Sequence, residues 1–339
     1  MGRRGVLMGS RTSAWAPGDC VALIPVLSAG GVGSFITGPV APHSGGNDHF
    51  ELRIEEWQRI AEAARRSSLR VGVTVYAPSV TPPAARRYIA ESKELIARLA
   101  PDIVMCRFRP FADKPASGDL NDRWQAHFIN SVFSESPTAI AWYACPVVYS
   151  LELSDSLISR PEVDRYWRCL GRGVTEDVRL CWTGNDIMTT EIDEKSIEYV
   201  ESLFRRPVCL WSNFPANDGH GWTGAIRLRP PDWSEWLGGH EVIFNPMRQP
   251  RLSFVAIWRA VQRLAGEIDS VPSMRILSEL HTTPDIWNVL RANEPALERG
   301  EVLPRHVFDR LSVALQNGDT LAEDVLSFYA EDPGTWTLK

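Results

Sequence analysis

Short apolar runs alternate with helix-period stretches along most of this chain, and that alternation limits the fold more than any other feature. A short apolar run buried on both faces reads as a strand of a parallel sheet, because helices then cover both sides of it. Such runs stand at Gly5–Gly9, Ser34–Gly38, Leu69–Ala77, Asp102–Phe108, Thr138–Pro146, Arg179–Thr183, Pro207–Phe214 and Glu241–Met247. Between them, Ile54–Arg66 and Ala84–Leu99 repeat apolar residues at three- and four-residue spacing, as an amphipathic helix does. Arg123–Phe133, Pro161–Gly171, Asp193–Phe204 and Arg251–Ala265 fill most of the remaining places. The pattern predicts an α/β fold, a (β/α)8 TIM barrel. No G-x-G-x-x-G follows the first strand, which argues against an open dinucleotide-binding sheet.

Past about residue 270 the strand-like runs stop. Met274–Leu280, Thr283–Ala292, Leu303–Asn317 and Leu321–Ala330 read as helices separated by Pro and Gly. The expected organisation is a barrel over residues 1–268 and a helical C-terminal extension over 269–339. The extension would pack on the barrel or pair with a second copy of the chain, so a homo-oligomer through these helices is the expected assembly.

Composition narrows the function classes. Hydrophobic residues at 44% supply a sizeable core. No segment reaches the roughly 18 uninterrupted apolar residues of a membrane helix. A net charge of −6 argues against a general nucleic-acid binder, which needs a basic footprint. The 6 cysteines show no C-x-x-C spacing, and Cys106, Cys145, Cys181 and Cys209 lie in apolar strand runs. They read as buried free thiols, without metal or disulfide use. No h-region with a cleavage site opens the sequence, and Val6 stands where an acylation signal after Gly2 wants Ser or Thr. The expectation is a cytoplasmic protein without a cofactor or a metal; His43, Asp48 and His49 lack metal-ligand spacing.

In a parallel barrel the residues just past the strand C-termini face the ligand. Cys181–Gly221 carries two such clusters: Trp182, Thr183 and Asn185 after one strand, then Trp211, Asn213, Asn217 and Asp218 after the next. This segment resembles the family 84 glycoside hydrolases, the β-N-acetylglucosaminidases of the O-GlcNAcase/hyaluronidase type. Those carry W-T-G after one strand and W-(D/S/W)-N-(Y/F)-P-x-x-D after the next. The resemblance extends over most of the barrel. Gly5, Gly9 and Trp15 match a G-V-x-E-G-F-Y-G-x-P-W pattern, with Met8, Ser10, Arg11 and Thr12 in place of its E and F-Y-G. Gln125, Ala126 and Asn130 match A-Q-A-x-x-x-N; Cys145, Pro146 and Tyr149 match C-P-T-x-Y. Asn245, Pro246, Met247, Gln249 and Ser253 match N-P-M-x-Q-x-x-x-S.

The resemblance implies substrate-assisted hydrolysis, in which the N-acetyl carbonyl of the sugar attacks its own anomeric carbon and the enzyme supplies no nucleophile. Two adjacent aspartates after the fourth strand do the work: one orients the acetamido group, the other protonates the leaving oxygen. Here that strand reads DIVMCRFRPFAD, and the aspartate positions fall on Arg107, Phe108 or Arg109, depending on register. No adjacent acid pair stands there. The lysine of the family's Y-A-P-K-D-D also has no counterpart in ITGPVAPH.

The resemblance assigns sugar-contacting roles to Asn213, Asp218 and Asn245 and places Tyr149 near the first acid, with Gly9 and Trp182 also on the substrate side. Arg107 or Arg109 in place of a carboxylate would suit an anionic ligand, because a guanidinium fork matches a carboxylate or phosphate. The bland alternative is ion pairing with Asp102 or Asp113. Asp113 is the candidate relocated general acid, Asp186 is similarly placed and Asp218 is a further candidate; His220, flanked by glycines, reads rather as an exposed loop residue. Three readings follow: a sugar-type pocket without ordinary N-acetylglucosaminide hydrolysis, an active glycoside hydrolase on relocated carboxylates, or a scaffold with a vestigial pocket.

Overall fold

The computed structural model describes residues 3–8, 15–40, 52–77, 82–108, 122–134, 139–152, 159–217, 224–233, 237, 239–267 and 270–331. Gly9, Arg109, Asp113 and Asp218, together with His43, Asp48, His49 and His220, lie outside these residues.

The apolar runs form strands β1 (Arg4–Leu7), β2 (Ser34–Thr37), β3 (Arg70–Ala77), β4 (Ile103–Phe108), β5 (Ala141–Cys145), β6 (Val178–Trp182), β7 (Cys209–Pro215) and β8 (Val242–Asn245). Each pairs in parallel with the next, and β8 returns to β1, so the sheet closes as the (β/α)8 TIM barrel. Helices α1 (Pro17–Ala29), α2 (Ile54–Arg66), α3 (Pro82–Leu99), α4 (Asp122–Phe133), α5 (Arg160–Gly173), α6 (Glu194–Phe204) and α7 (Pro250–Leu264) surround it.

Helix α1 was not legible as one. Its sequence PGDCVALIPVLSA is apolar nearly all round and has Pro25 inside, so no amphipathic stripe announces it. It buries Cys20, Leu23, Ile24, Val26 and Leu27 all the same.

Strand residues sort by the two-residue period of the pleat. Leu7, Ile36, Ile103, Met105, Tyr143, Cys145, Cys181, Cys209, Trp211 and Ile243 fill the barrel interior. Their neighbours, among them Val6, Phe35, Val104, Leu180 and Phe244, belong to the larger core shared with the helices. Gly72 makes the interior fit: a Cβ there would stand 2.9 Å from Ile103 Cβ and 3.0 Å from Ile36 Cγ1. The two isoleucines take the space that a side chain at 72 would need.

At the N-terminal end, charged and polar groups close the barrel. Glu241 accepts from Arg179 Nη1 at 2.5 Å and from the Tyr143 hydroxyl. Buried Arg4 donates through Nη1 to His240 O at 2.5 Å.

After α7 the described residues form α8 (Met274–Glu279), α9 (Pro284–Ala292), α10 (Glu294–Glu298), α11 (Arg305–Gln316) and α12 (Thr320–Glu331). The short α10 was not anticipated. Leu297, Leu303, Leu321, Val325 and Phe328 join the same apolar core as the barrel helices. Asp324 of α12 accepts the N–H groups of Arg251 (2.7 Å) and Leu252 (3.0 Å), capping the start of α7. Arg259 of α7 bonds Leu228 O at 2.8 Å and pairs with Glu294. The Ile226 N–H reaches Leu297 O at 3.0 Å. These C-terminal helices thus also hold the connection between β7 and β8.

Among the described residues, no helix is long and apolar enough to cross a membrane. No group of three or more His, Cys, Asp and Glu side chains among them stands where it could hold a metal ion.

Candidate functional site

The C-terminal mouth collects the inward-facing residues at the strand ends. On β4 the interior positions are Ile103 and Met105, so the two-residue period carries Arg107 inward and Phe108 outward. Contacts agree. Phe108 packs edge-on against Phe128 of α4 at 5.9 Å. Arg107 Nη1 donates to the Tyr76 hydroxyl at 2.8 Å. Its guanidinium carbon lies 5.3 Å from the Tyr76 ring and 4.7 Å from the Trp211 ring. Two aromatic faces attract and fix the cation. Tyr76 pairs with Arg107, and Arg107 with Cys145, across β3, β4 and β5. The position of Tyr76 had not been singled out, although a tyrosine closing the third apolar run is a signal of the same kind as those that were.

Cys145 lies beside the arginine but is no nucleophile. Burial pushes its thiol up to about 12, and the nearby Arg107 charge offsets only part of that.

Trp211, the ring beside Arg107, joins two other side chains in a small amide network. Asn213 Oδ1 accepts from Trp211 Nε1 at 3.0 Å and from Asn245 Nδ2 at 3.2 Å. Asn213 Nδ2 donates to Ile187 O at 2.8 Å. These bonds settle which way both amides point. They leave Asn245 Oδ1 buried and, among the described residues, without a hydrogen-bond partner. A buried acceptor without a donor costs about 1–3 kcal/mol, so such an atom marks a place that a ligand donor would satisfy. Tyr149 follows β5, half-buried against the interior cluster.

The W-T-G tripeptide builds the loop that orients Asn213. Gly184 has φ +116°, and a Cβ there would fall 2.1 Å from Thr189 Oγ1. Only glycine fits. Thr183 donates through its N–H to Tyr149 O at 2.9 Å, and its hydroxyl reaches Tyr149 O at 3.2 Å and Asp186 O at 3.1 Å. Trp182 is a correction. Cys181 faces the interior, so Trp182 faces the helices, fully buried in the outer core. From there it does not touch a ligand in the mouth.

Several other matched residues are structural. Gln125 Oε1 accepts from Val147 N–H and the Tyr166 hydroxyl, pinning the chain after β5. Asn130 bonds Gly173 O and Thr175 N–H. Asn217, expected among the ligand-side groups, is sealed: it donates to Ala225 O and Gln249 Oε1 and accepts from Arg248 N–H. The Ser253 hydroxyl bonds Met247 O and Gln249 O, and Trp15 Nε1 bonds Met247 O. Asp186 is exposed on the loop after β6, with its carbonyl taken by Thr183 and Thr189.

Comparison with known proteins is consistent with this geometry. The model of the NAGidase family, beta-N-acetylglucosaminidase, matches residues 100–270, half of the chain. Protein O-GlcNAcase of Rattus norvegicus is 25% identical over 136 residues, 39% of this chain. The Mus musculus protein of the same name gives the same identity and length. The match spans only 14% of either relative. A solved structure of a mutant O-GlcNAc hydrolase of Thermobaculum terrenum superposes with a TM-score of 0.69 at 17% identity, covering 98% of this chain and 77% of that one. At that identity the likeness concerns the fold.

Proposed function

We propose that this chain, which belongs to the β-N-acetylglucosaminidase family, uses its barrel mouth to hold a hydroxylated, sugar-like ligand and does not carry out the family's substrate-assisted hydrolysis. The observation that carries the reading is Arg107. It faces inward at the end of β4, clamped between Tyr76 and Trp211, where the resemblance calls for a catalytic acid. The sequence contains no Asp–Asp pair anywhere.

The sign of the charge matters twice. Substrate-assisted attack builds positive charge on the sugar and its acetamido group, which a carboxylate stabilises and a guanidinium opposes. A guanidinium also cannot give up a proton at working pH, so it is no general acid. The same cation favours a ligand bearing a carboxylate or phosphate. Asn213 and Asn245 remain to meet hydroxyl or amide groups, with Asn245 Oδ1 lacking a donor among the described residues. Asp218 and Gly9 complete the proposed substrate side. Buried free thiols at Cys106, Cys145, Cys181 and Cys209 suit a reducing compartment, hence the cytoplasm.

Thermal-shift titration with glucuronate and with N-acetylglucosamine tests the reading. Both should raise the midpoint, glucuronate more, and Arg107→Met should erase the preference for the acid. No shift with either sugar would favour the scaffold reading. A hydrolase acting through Asp113, Asp186 or Asp218 would reveal itself by turnover instead.

A further inference from the structure

Strand and helix alternate around the barrel until β7, where the repeat breaks: among the described residues no α-helix stands between β7 and β8. A strand in a parallel sheet needs cover on its outer face, and here the connecting segment supplies it. Ile226, Leu228, Trp233 and Leu237 are buried in the core that the strands share with the helices. The Trp233 ring lies 6.2 Å from the Phe214 ring, edge-on at 86°. It also lies 5.9 Å from the Phe244 ring, tilted at 36°.

These two phenylalanines are the outward neighbours of the two mouth amides. Trp211 and Ile243 face the interior, so the pleat carries Asn213 and Asn245 inward and Phe214 and Phe244 outward. The ladder is irregular at this point. Ser212 pairs with Phe244 and Pro215 with Asn245, so Asn213 and Phe214 have no counterpart on β8. Such a bulge re-aims side chains and frees backbone groups. The Phe214 N–H turns to Ser212 Oγ at 3.2 Å, and the Ala216 N–H to Asn213 O at 2.7 Å and Asn245 O at 3.1 Å. With the ladder interrupted, the spacing of the two amides depends on what packs behind them.

We propose that Trp233 is a positioning residue for the mouth: packed behind the bulge, it fixes the separation of β7 and β8 at which Asn245 donates to Asn213. The indole is itself held from outside the barrel. Arg259 of α7 donates to Leu228 O at 2.8 Å, and Glu298 of α10 accepts the Arg229 N–H at 3.2 Å. Asp232, the neighbour of Trp233, pairs with Arg263 of α7. The C-terminal helices thereby reach the mouth through one ring. What this means for a ligand rests on the sugar-holding role proposed for the mouth; the geometry of the amides does not.

The test is magnetic resonance of the full chain carrying isotope-labelled asparagine, with Asn213→Asp and Asn245→Asp to assign the two side-chain amides. Trp233→Leu should move both signals and speed exchange of the Asn245 side-chain N–H with water about tenfold, the scale of one weakened hydrogen bond. The Asn130 amide, tied to Gly173 O and the Thr175 N–H, should stay in place. Trp142→Leu removes another buried indole set edge-on against a phenylalanine, Phe133 at 5.6 Å, and should leave Asn213 and Asn245 unmoved. That control separates positioning from a general loss of packing. Trp233→Phe keeps a ring beside Phe214 and Phe244 and should move the same signals in the same direction by less. Calorimetric affinity for N-acetylglucosamine should fall about tenfold in Trp233→Leu and be largely restored in Trp233→Phe. A wild-type chain that binds no sugar would overturn the role of the mouth, while the amide signals would still decide the role of Trp233. Unmoved amide signals in folded Trp233→Leu (in Trp233→Phe, should the leucine variant not fold) would overturn the proposal. So would equal movement in Trp142→Leu, or moved signals with unchanged sugar affinity.

Discussion

The two ends of the barrel hold their polar groups differently. At the N-terminal end, Glu241 is met by Arg179 and Tyr143, and Arg4 is bonded to the His240 carbonyl. At the C-terminal mouth, Asn213 is engaged through both amide atoms, Asn245 Oδ1 has no donor among the described residues, and a cation sits beside two rings. An engaged ion pair adds stability, whereas an acceptor without a donor gives some up and is retained where a ligand completes it. The floor reads as structure and the mouth as a site.

The largest effect that would break this contrast concerns neither end. Residues 269–339 are set apart as an extension because the described residues among them hold no strand, and that boundary is a proposal. Yet Leu297, Leu321, Val325 and Phe328 share the barrel's core, and α7 is buried almost all round between barrel and extension. Truncation after residue 268 should leave no cooperatively folded protein, measured by loss of the thermal transition. A truncated chain that unfolds cooperatively would show two independent domains.

Next comes the floor. Glu241→Ala should cost about 2–3 kcal/mol by chemical denaturation, because it strands Arg179 and Tyr143; half-exposed Arg179 keeps the figure below that of a fully buried pair. Ligand binding per folded molecule should not change. At the mouth the pattern should invert. Asn245→Ala removes one long bond, from Nδ2 to Asn213 Oδ1, together with a buried acceptor that has no donor among the described residues; the two changes offset, so stability should move by only about 1 kcal/mol, while affinity for a sugar probe should fall about tenfold. A mouth variant as damaging to folding as the floor variant would remove the contrast.

The smallest expected effect is a pH slope. Burial lifts the Asp324 carboxyl to about 7, against the α7 N–H groups and Arg251 that favour its charged form. The folded chain then holds a proton that the unfolded chain has already released between about pH 4 and 7. Stability should therefore fall as pH rises through that window. Asp324→Asn should flatten the slope while still accepting the two N–H bonds, as denaturation midpoints across the window would report.

Much of the fold was legible because strand burial and helix amphipathicity leave different periods, and the eight strands lie where the apolar runs stand. Helix α1 was not, since a helix apolar on every side has no period to read. The site was legible less evenly. Matched residues such as Gln125, Asn130, Gln249 and Ser253 proved to tie loops and helix ends together, which a motif cannot distinguish from ligand contact. Arg107 and Trp182 show why. Each stands near a strand end, and only its phase in the pleat decides between mouth and core. Buried neighbours on both faces of a parallel strand hide that phase from the sequence.

The most direct test of the central claim is turnover of a chromogenic β-N-acetylglucosaminide at high protein concentration, followed across about pH 4 to 8, the range in which a catalytic carboxyl or imidazole would titrate. The account predicts no hydrolysis above background at any pH, with Arg107 opposing the charge the reaction must build. Hydrolysis that disappears in Asp113→Asn or Asp186→Asn would contradict it and place the family's chemistry on a relocated acid.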